Sequence, residues 1–146
     1  MSRVDVALDT FRQEFSCAQS VFTAFADPAD VSRETALRLA SGFGGGLARS
    51  GETCGAVTGA VLALGLRHCG APPTDPQAKV AAYPVVQEFL RRFRERHGAL
   101  TCRELLGADL GTEAGRQRAQ NEDLVRQRCP AFVRDAALIL EELLPD

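Results

Sequence analysis

Five cysteines punctuate the chain, and four of them stand where the sequence signals that a helix is about to begin. Thr53-Cys54 opens the apolar run from Gly55 to Leu66, Thr101-Cys102-Arg103-Glu104 has the form of a capping box, and Ser16-Cys17-Ala18-Gln19 is a looser one. Cys129-Pro130 puts proline where the first helical residue would stand. A helix N-terminus presents unpaired N–H groups and about half a positive charge, which favours thiolate over thiol. Thiolate is the form that attacks disulfides and ligates metals. Lowering a cysteine pKa from ~8.5 to ~6.5 raises the thiolate share at neutral pH from a few per cent to most of the population. The placement therefore predicts cysteines that do chemistry. Cys69, beside Gly70 at a helix C-terminal end where the dipole opposes a thiolate, is the spare.

Cys17, Cys54, Cys102 and Cys129 are separated by 37, 48 and 27 residues. No local zinc ribbon or Cys-x-x-Cys word exists, so any shared site must be assembled by the fold from separate elements. Two chemistries use such a set. In dithiol exchange one thiolate attacks a substrate disulfide or oxidant and a second cysteine resolves the mixed disulfide, with no cofactor required. Cys54, with glycine beside it, is the expected nucleophile, and Cys17, Cys102 and Cys129 are its companions; which of them resolves is open. The alternative is an iron–sulfur cluster or a zinc ion held by all four thiolates. A third reading makes the chain a helical interaction module whose cysteines are small buried hydrophobes.

Two glycine patterns bear on these readings. Gly42 to Gly46 holds four glycines in five residues. With no Gly-Lys-Ser/Thr word after it, this is a helix stop and turn, not a phosphate loop. Its functional version is a nest of backbone N–H groups at Gly44 and Gly45 near an anionic sulfur or cluster. Gly55, Gly59 and Ala63 recur every four residues and leave a smooth strip where another helix can bring its own cysteine close. Gly44, Gly45, Gly55 and Gly59 are accordingly the candidate cofactor contacts.

Helices must do the positioning. Val4, Leu8, Phe11, Phe15, Ala18, Phe22 and Phe25 form one apolar stripe, read either as a single long helix or as two broken at Ser16. A helix capped by Ser32 runs to Gly42, and the run from Cys54 to about His68, apolar nearly all round, is central. A helix opening at Asp75-Pro76 carries Val80, Tyr83, Val86, Phe89, Leu90 and Phe93 on one face. Pro84 kinks or divides it, and Gly98 ends it. A short helix spans Cys102 to Leu106, Thr112 to Arg128 is a solvated helix plus loop, and the last helix buries Phe132, Val133, Ala136, Ile139, Leu140, Leu143 and Leu144. His68 and His97 fall near helix ends, where carbonyls and solvent are their expected neighbours, and the Arg91–Arg96 cluster is a solvated face. No strand alternation occurs, so residues 1–146 are expected to form one all-α domain, a bundle of about five or six helices.

Composition narrows the function classes. The chain has 146 residues, 45% hydrophobic and 25% charged, with a formal charge of −2. That balance gives no electrostatic case for nucleic acid or an anionic membrane. Met1 to Glu14 is charged and amphipathic, unlike a signal peptide, and no apolar run approaches the ~18 residues of a membrane span. The expectation is a cytoplasmic protein with reduced thiols, acting on a redox partner protein or a small oxidant or reductant, oligomeric or not.

The chain resembles the small redox-active proteins named for the cysteine pattern C_GCAxxG_C_C. The matching words are Cys17-Ala18-Gln19-Ser20-Val21, the stretch from Arg38 through Gly42-Phe43-Gly44-Gly45-Gly46 to Gly51-Glu52-Thr53-Cys54-Gly55-Ala56-Val57-Thr58-Gly59, then Cys102-Arg103-Glu104-Leu105-Leu106-Gly107, and Cys129-Pro130. Where the label reads glycine before cysteine, this chain reads Cys54-Gly55-Ala56. The resemblance implies redox activity carried by Cys17, Cys54, Cys102 and Cys129, and it names no reaction.

Overall fold

A computed structural model describes residues 1–144. Eight α-helices form among them, more than the five or six expected: α1 (Arg3–Arg12), α2 (Cys17–Phe25), α3 (Arg33–Leu39), α4 (Gly55–His68), α5 (Tyr83–His97), α6 (Cys102–Leu106), α7 (Glu113–Asn121) and α8 (Leu124–Leu143). Short 3-10 turns at Ser41–Phe43 and Pro76–Ala82 join them. No strand forms among the described residues. One isolated antiparallel bridge links Thr53 to Thr101.

The extra helices come from local breaks that the apolar periodicity does not register. The N-terminal stripe divides at Ser16, whose hydroxyl accepts from the Gln19 N–H while the Gln19 side chain accepts from the Ser16 N–H. Glu14, at φ +74°, turns the chain just before it. The single long helix is thereby overturned, and Cys17 becomes the first residue of α2. Pro84 falls in the first turn of α5, where a missing N–H costs little, and the residues ahead of it wind as a 3-10 turn. That tighter winding rotates Val80 and Tyr83 off the expected apolar face: both are exposed, and Ala78 and Ala82 are buried instead.

α4 is the central helix, packed against α2, α5 and α8, with α1 outside on α2 and α8. The small-residue strip seats α2: a methyl group added at Gly59 would lie 2.7 Å from the Ala18 carbonyl oxygen, and one at Gly55 would lie 2.9 Å from the Ala18 nitrogen. Phe89 and Phe93 of α5 and Val133, Ile139 and Leu140 of α8 fill the core beside Leu64. The arginine face of α5 is paired, Arg91 and Arg92 with Glu88, and Arg92 also with Glu142 of α8 at 2.7 Å. His97 departs from expectation. It is largely buried, its ring 4.8 Å from that of Phe93 and 5.1 Å from that of Phe132, with Nε2 2.8 Å from an Asp135 carboxylate oxygen.

Candidate redox site

Three cysteines arrive on helix starts. Cys17 is the first residue of α2 behind the Ser16 cap, Cys54 is the N-cap of α4, and Cys102 is the first residue of α6, whose cap Thr101 accepts from the Glu104 N–H. The segments leading into α4 and α6 are tied together by the Thr53–Thr101 bridge. The Cys54 N–H donates to Leu100 at 2.8 Å and the Cys102 N–H to Glu52 at 2.6 Å. Because alternate residues of a paired segment share a face, Cys54 and Cys102 leave the bridge on the same side, opposite to the two threonines. Gly55 lets α2 come in so close that a methyl group there would touch the Cys17 Cβ at 3.2 Å.

Cys129 is placed differently from the expectation. α8 starts at Leu124, so Cys129 and Pro130 lie inside it and Cys129 has no helix N-terminus. The proline rule is outweighed by anchoring of the segment before it. Leu124 is buried in the core, and the Arg128 guanidinium donates to the Leu106 carbonyl at 2.7 Å, pinning the start of α8 against the end of α6. The cost is one helical hydrogen bond, since Pro130 has no N–H for the Arg126 carbonyl.

Cys17, Cys54, Cys102 and Cys129 line a single cavity of about 1110 Å³. Cys54, Cys102 and Cys129 are buried and Cys17 half-buried, so their route to solvent runs through this cavity. Cys17 is the hub. The neighbouring thiols of Cys129 first and Cys54 next, with burial, hold its pKa well above the ordinary thiol range. The same contact acts oppositely on Cys54. The Cys17 S–H lowers the Cys54 pKa, and the Ala56 and Val57 N–H groups of α4 lower it further against the burial that raises it. No capping hydrogen bond of ordinary geometry forms from Cys54, so those two amides act on the large sulfur as nearby dipoles. Cys102 is pushed up to about 12, chiefly by burial, then by the neighbouring Cys54, Cys129 and Asp109 charges. Within one cavity Cys54 is thus shifted towards thiolate and Cys17 towards thiol.

Residues 15–143 match the family described as "Putative redox-active protein (C_GCAxxG_C_C)". The chain belongs to this family. It is also 29% identical over 108 residues, 68% of this chain and 70% of the other, to an uncharacterized protein of Archaeoglobus fulgidus. No solved structure matches it.

Of the other candidates, Gly44, Gly45 and Gly55 line the cavity beside the sulfurs, whereas Gly59 lies under Ala18 and serves the helix packing. Cys69 is exposed at the far end of α4. Among the described residues, no three His, Cys, Asp or Glu side chains are arranged to hold one metal ion. The glycine segment carries a feature that sequence reading missed. Gly45, Gly46, Leu47, Ala48 and Arg49 are all left-handed, with φ from +50° to +69°. The glycine run is a signal for the first two. Nothing in Leu47-Ala48-Arg49 announces a conformation that costs about 1–2 kcal/mol per non-glycine residue. A methyl group at Gly46 would sit 2.7 Å from the Cys102 Cβ, so this turn packs directly on the sulfur cluster. Arg12 and Arg49 on the cavity wall were likewise not singled out.

Proposed function

We propose that this member of the family performs dithiol–disulfide exchange, with Cys54 as the attacking thiolate and Cys17 as the resolving thiol. The observation that carries the reading is the close approach of Cys17 to the start of α4, where a methyl group at Gly55 would lie 3.2 Å from the Cys17 Cβ and both thiols line one cavity, with Cys54 shifted towards thiolate and Cys17 towards thiol. Cys54 attacks one sulfur of a partner disulfide, and the other sulfur leaves as thiolate. Cys17 then attacks the Cys54 sulfur of the mixed disulfide, its proton passes to the departing thiolate, and the Cys17–Cys54 disulfide is left. Two protein thiols are oxidised and one external disulfide becomes two thiols. A partner with a higher potential drives this direction, and one with a lower potential reverses it.

Alkylation of reduced and oxidised protein with mass counting tests the proposal. Oxidation is expected to remove two of five alkylatable thiols and to yield a linked Cys17–Cys54 peptide. Cys17→Ser is expected to trap the mixed disulfide on Cys54. Five thiols that remain alkylatable after oxidant treatment, in protein whose Cys54 is reactive, would refute it.

A further inference from the structure

Building on the dithiol reading, we infer that the external disulfide is a small organic molecule bearing an anionic group such as a carboxylate. The anion is seated at the left-handed turn Gly45–Arg49, and the S–S bond reaches Cys54. Access comes first. Cys54 is 4% exposed and Cys129 8%, and both line the cavity, so a disulfide must pass into it to reach them, which favours a small molecule. A volume of about 1110 Å³ lies just above the ~300–1,000 Å³ typical for small-molecule sites. Phe11, Phe15, Leu106 and Phe132 supply its apolar wall.

The turn supplies the second argument. The Arg49, Gly51 and Glu52 N–H groups are used within it, donating to Gly44, Gly45 and Gly46. Among the described residues, no hydrogen-bond acceptor meets the N–H groups of Gly45, Gly46 and Ala48, although Gly46 is buried. Gly46 is the buried one of the three, where a backbone donor is nearly always paired, and its N–H with the adjacent one of Gly45 forms a concavity suited to an anion, whereas the Leu47 N–H donates to Phe43 and Ala48 is exposed. The three residues line the same cavity as the sulfurs. Arg49, on the same wall, and Arg12, across from it at the end of α1, form no ion pair among the described residues, whereas Arg126 on that wall is neutralised by Asp123 at 2.7 Å. Glu14 is the remaining carboxylate on the wall beside Asp123.

The test uses electrostatics against itself. A bare thiolate repels an anionic disulfide and attracts a cationic one, so a preference for the anion requires counter-charge built into the site. The second-order rate at which the reduced protein forms its Cys17–Cys54 disulfide is measured at low salt with 3,3′-dithiodipropionate and with cystamine. The dianion is expected to react at least threefold faster than the dication. Arg49→Asn, a residue that tolerates the left-handed turn, is expected to lower that ratio at least threefold, in a variant shown folded by circular dichroism. A wild-type ratio below three, or one that Arg49→Asn leaves unchanged, overturns the anion subsite while the dithiol reading stands. Absence of the Cys17–Cys54 disulfide with either reagent overturns both.

Discussion

Replacing Gly59 and Gly65 by alanine, one at a time, makes the same chemical change on the same helix with opposite expected signs. Both sit inside α4, where alanine in place of glycine gains about 0.5–1 kcal/mol of helix propensity. At Gly65 nothing lies within 4 Å of the added methyl group, so the gain is kept. At Gly59 the methyl group would lie 2.7 Å from the Ala18 oxygen and 3.0 Å from its Cα. Those atoms are backbone and cannot rotate aside, so α2 must lift, and the cost falls in the upper part of the usual overpacking range, about 2–3 kcal/mol. The net expectation is about 1–2 kcal/mol lost at Gly59 and up to about 1 gained at Gly65. At roughly 3–4 °C per kcal/mol for a chain of this size, Tm falls by about 3–8 °C in one variant and rises by about 2–4 °C in the other. Thermal melts followed by circular dichroism, checked by urea titration, read both. Because Ala18 follows Cys17, lifting α2 also parts the two sulfurs, and Gly59→Ala should form the Cys17–Cys54 disulfide more slowly. A Gly59→Ala protein as stable as the parent would refute the close seating of α2 on α4, and with it the mechanism that brings Cys17 to Cys54.

Cys17→Ala removes the hydrogen bond that most lowers the Cys54 pKa, so Cys54 should be alkylated by iodoacetamide more slowly at neutral pH, and its reactivity should titrate at higher pH than in the parent. Cys102 provides a signed pH dependence. Its thiol is held up to about 12 in the folded chain, so as pH rises from the ordinary thiol range near ~8.5 the unfolded state loses a proton that the folded state retains. Stability is therefore fully present below that range and is lost on approach to pH 12. Cys102→Ala should flatten the alkaline arm of a urea-stability profile, and an unchanged slope would count against the buried, protonated thiol. Ser16→Ala removes a reciprocal cap and should cost about 1 kcal/mol in chemical denaturation.

Much of the helical grammar was readable in advance because its signals are local. The caps at Ser16, Ser32 and Thr101 each act within one turn, and all three helices begin where those side chains accept an N–H. The Gly55–Gly59 strip was legible as a place for close approach, though not which helix would use it. Local rules failed where tertiary contacts outweighed them. Pro130 was read as a helix start, but burial of Leu124 and the Arg128 bond to Leu106 carry the helix through it. The left-handed turn at Leu47–Arg49 has no composition to announce it. It is held by hydrogen bonds back to Gly44, Gly45 and Gly46, and by packing against Cys102.

What the chain determines by itself is the all-helical class and the placing of Cys54 and Cys102 at helix starts, because helix-start signals such as the Thr101 cap are local, whereas the place of Cys17 stayed open between a helix start and mid-helix. The tertiary structure alone decided that Cys17, Cys54, Cys102 and Cys129 line one cavity, that Cys129 lies inside α8, and that an irregular turn walls the cavity. Contacts between sulfurs so far apart along the chain depend on how closely two helix backbones cross. That distance is set by the absence of a side chain at Gly55 and Gly59 and by the bridge at Thr53 and Thr101, and neither acts until the helices have met.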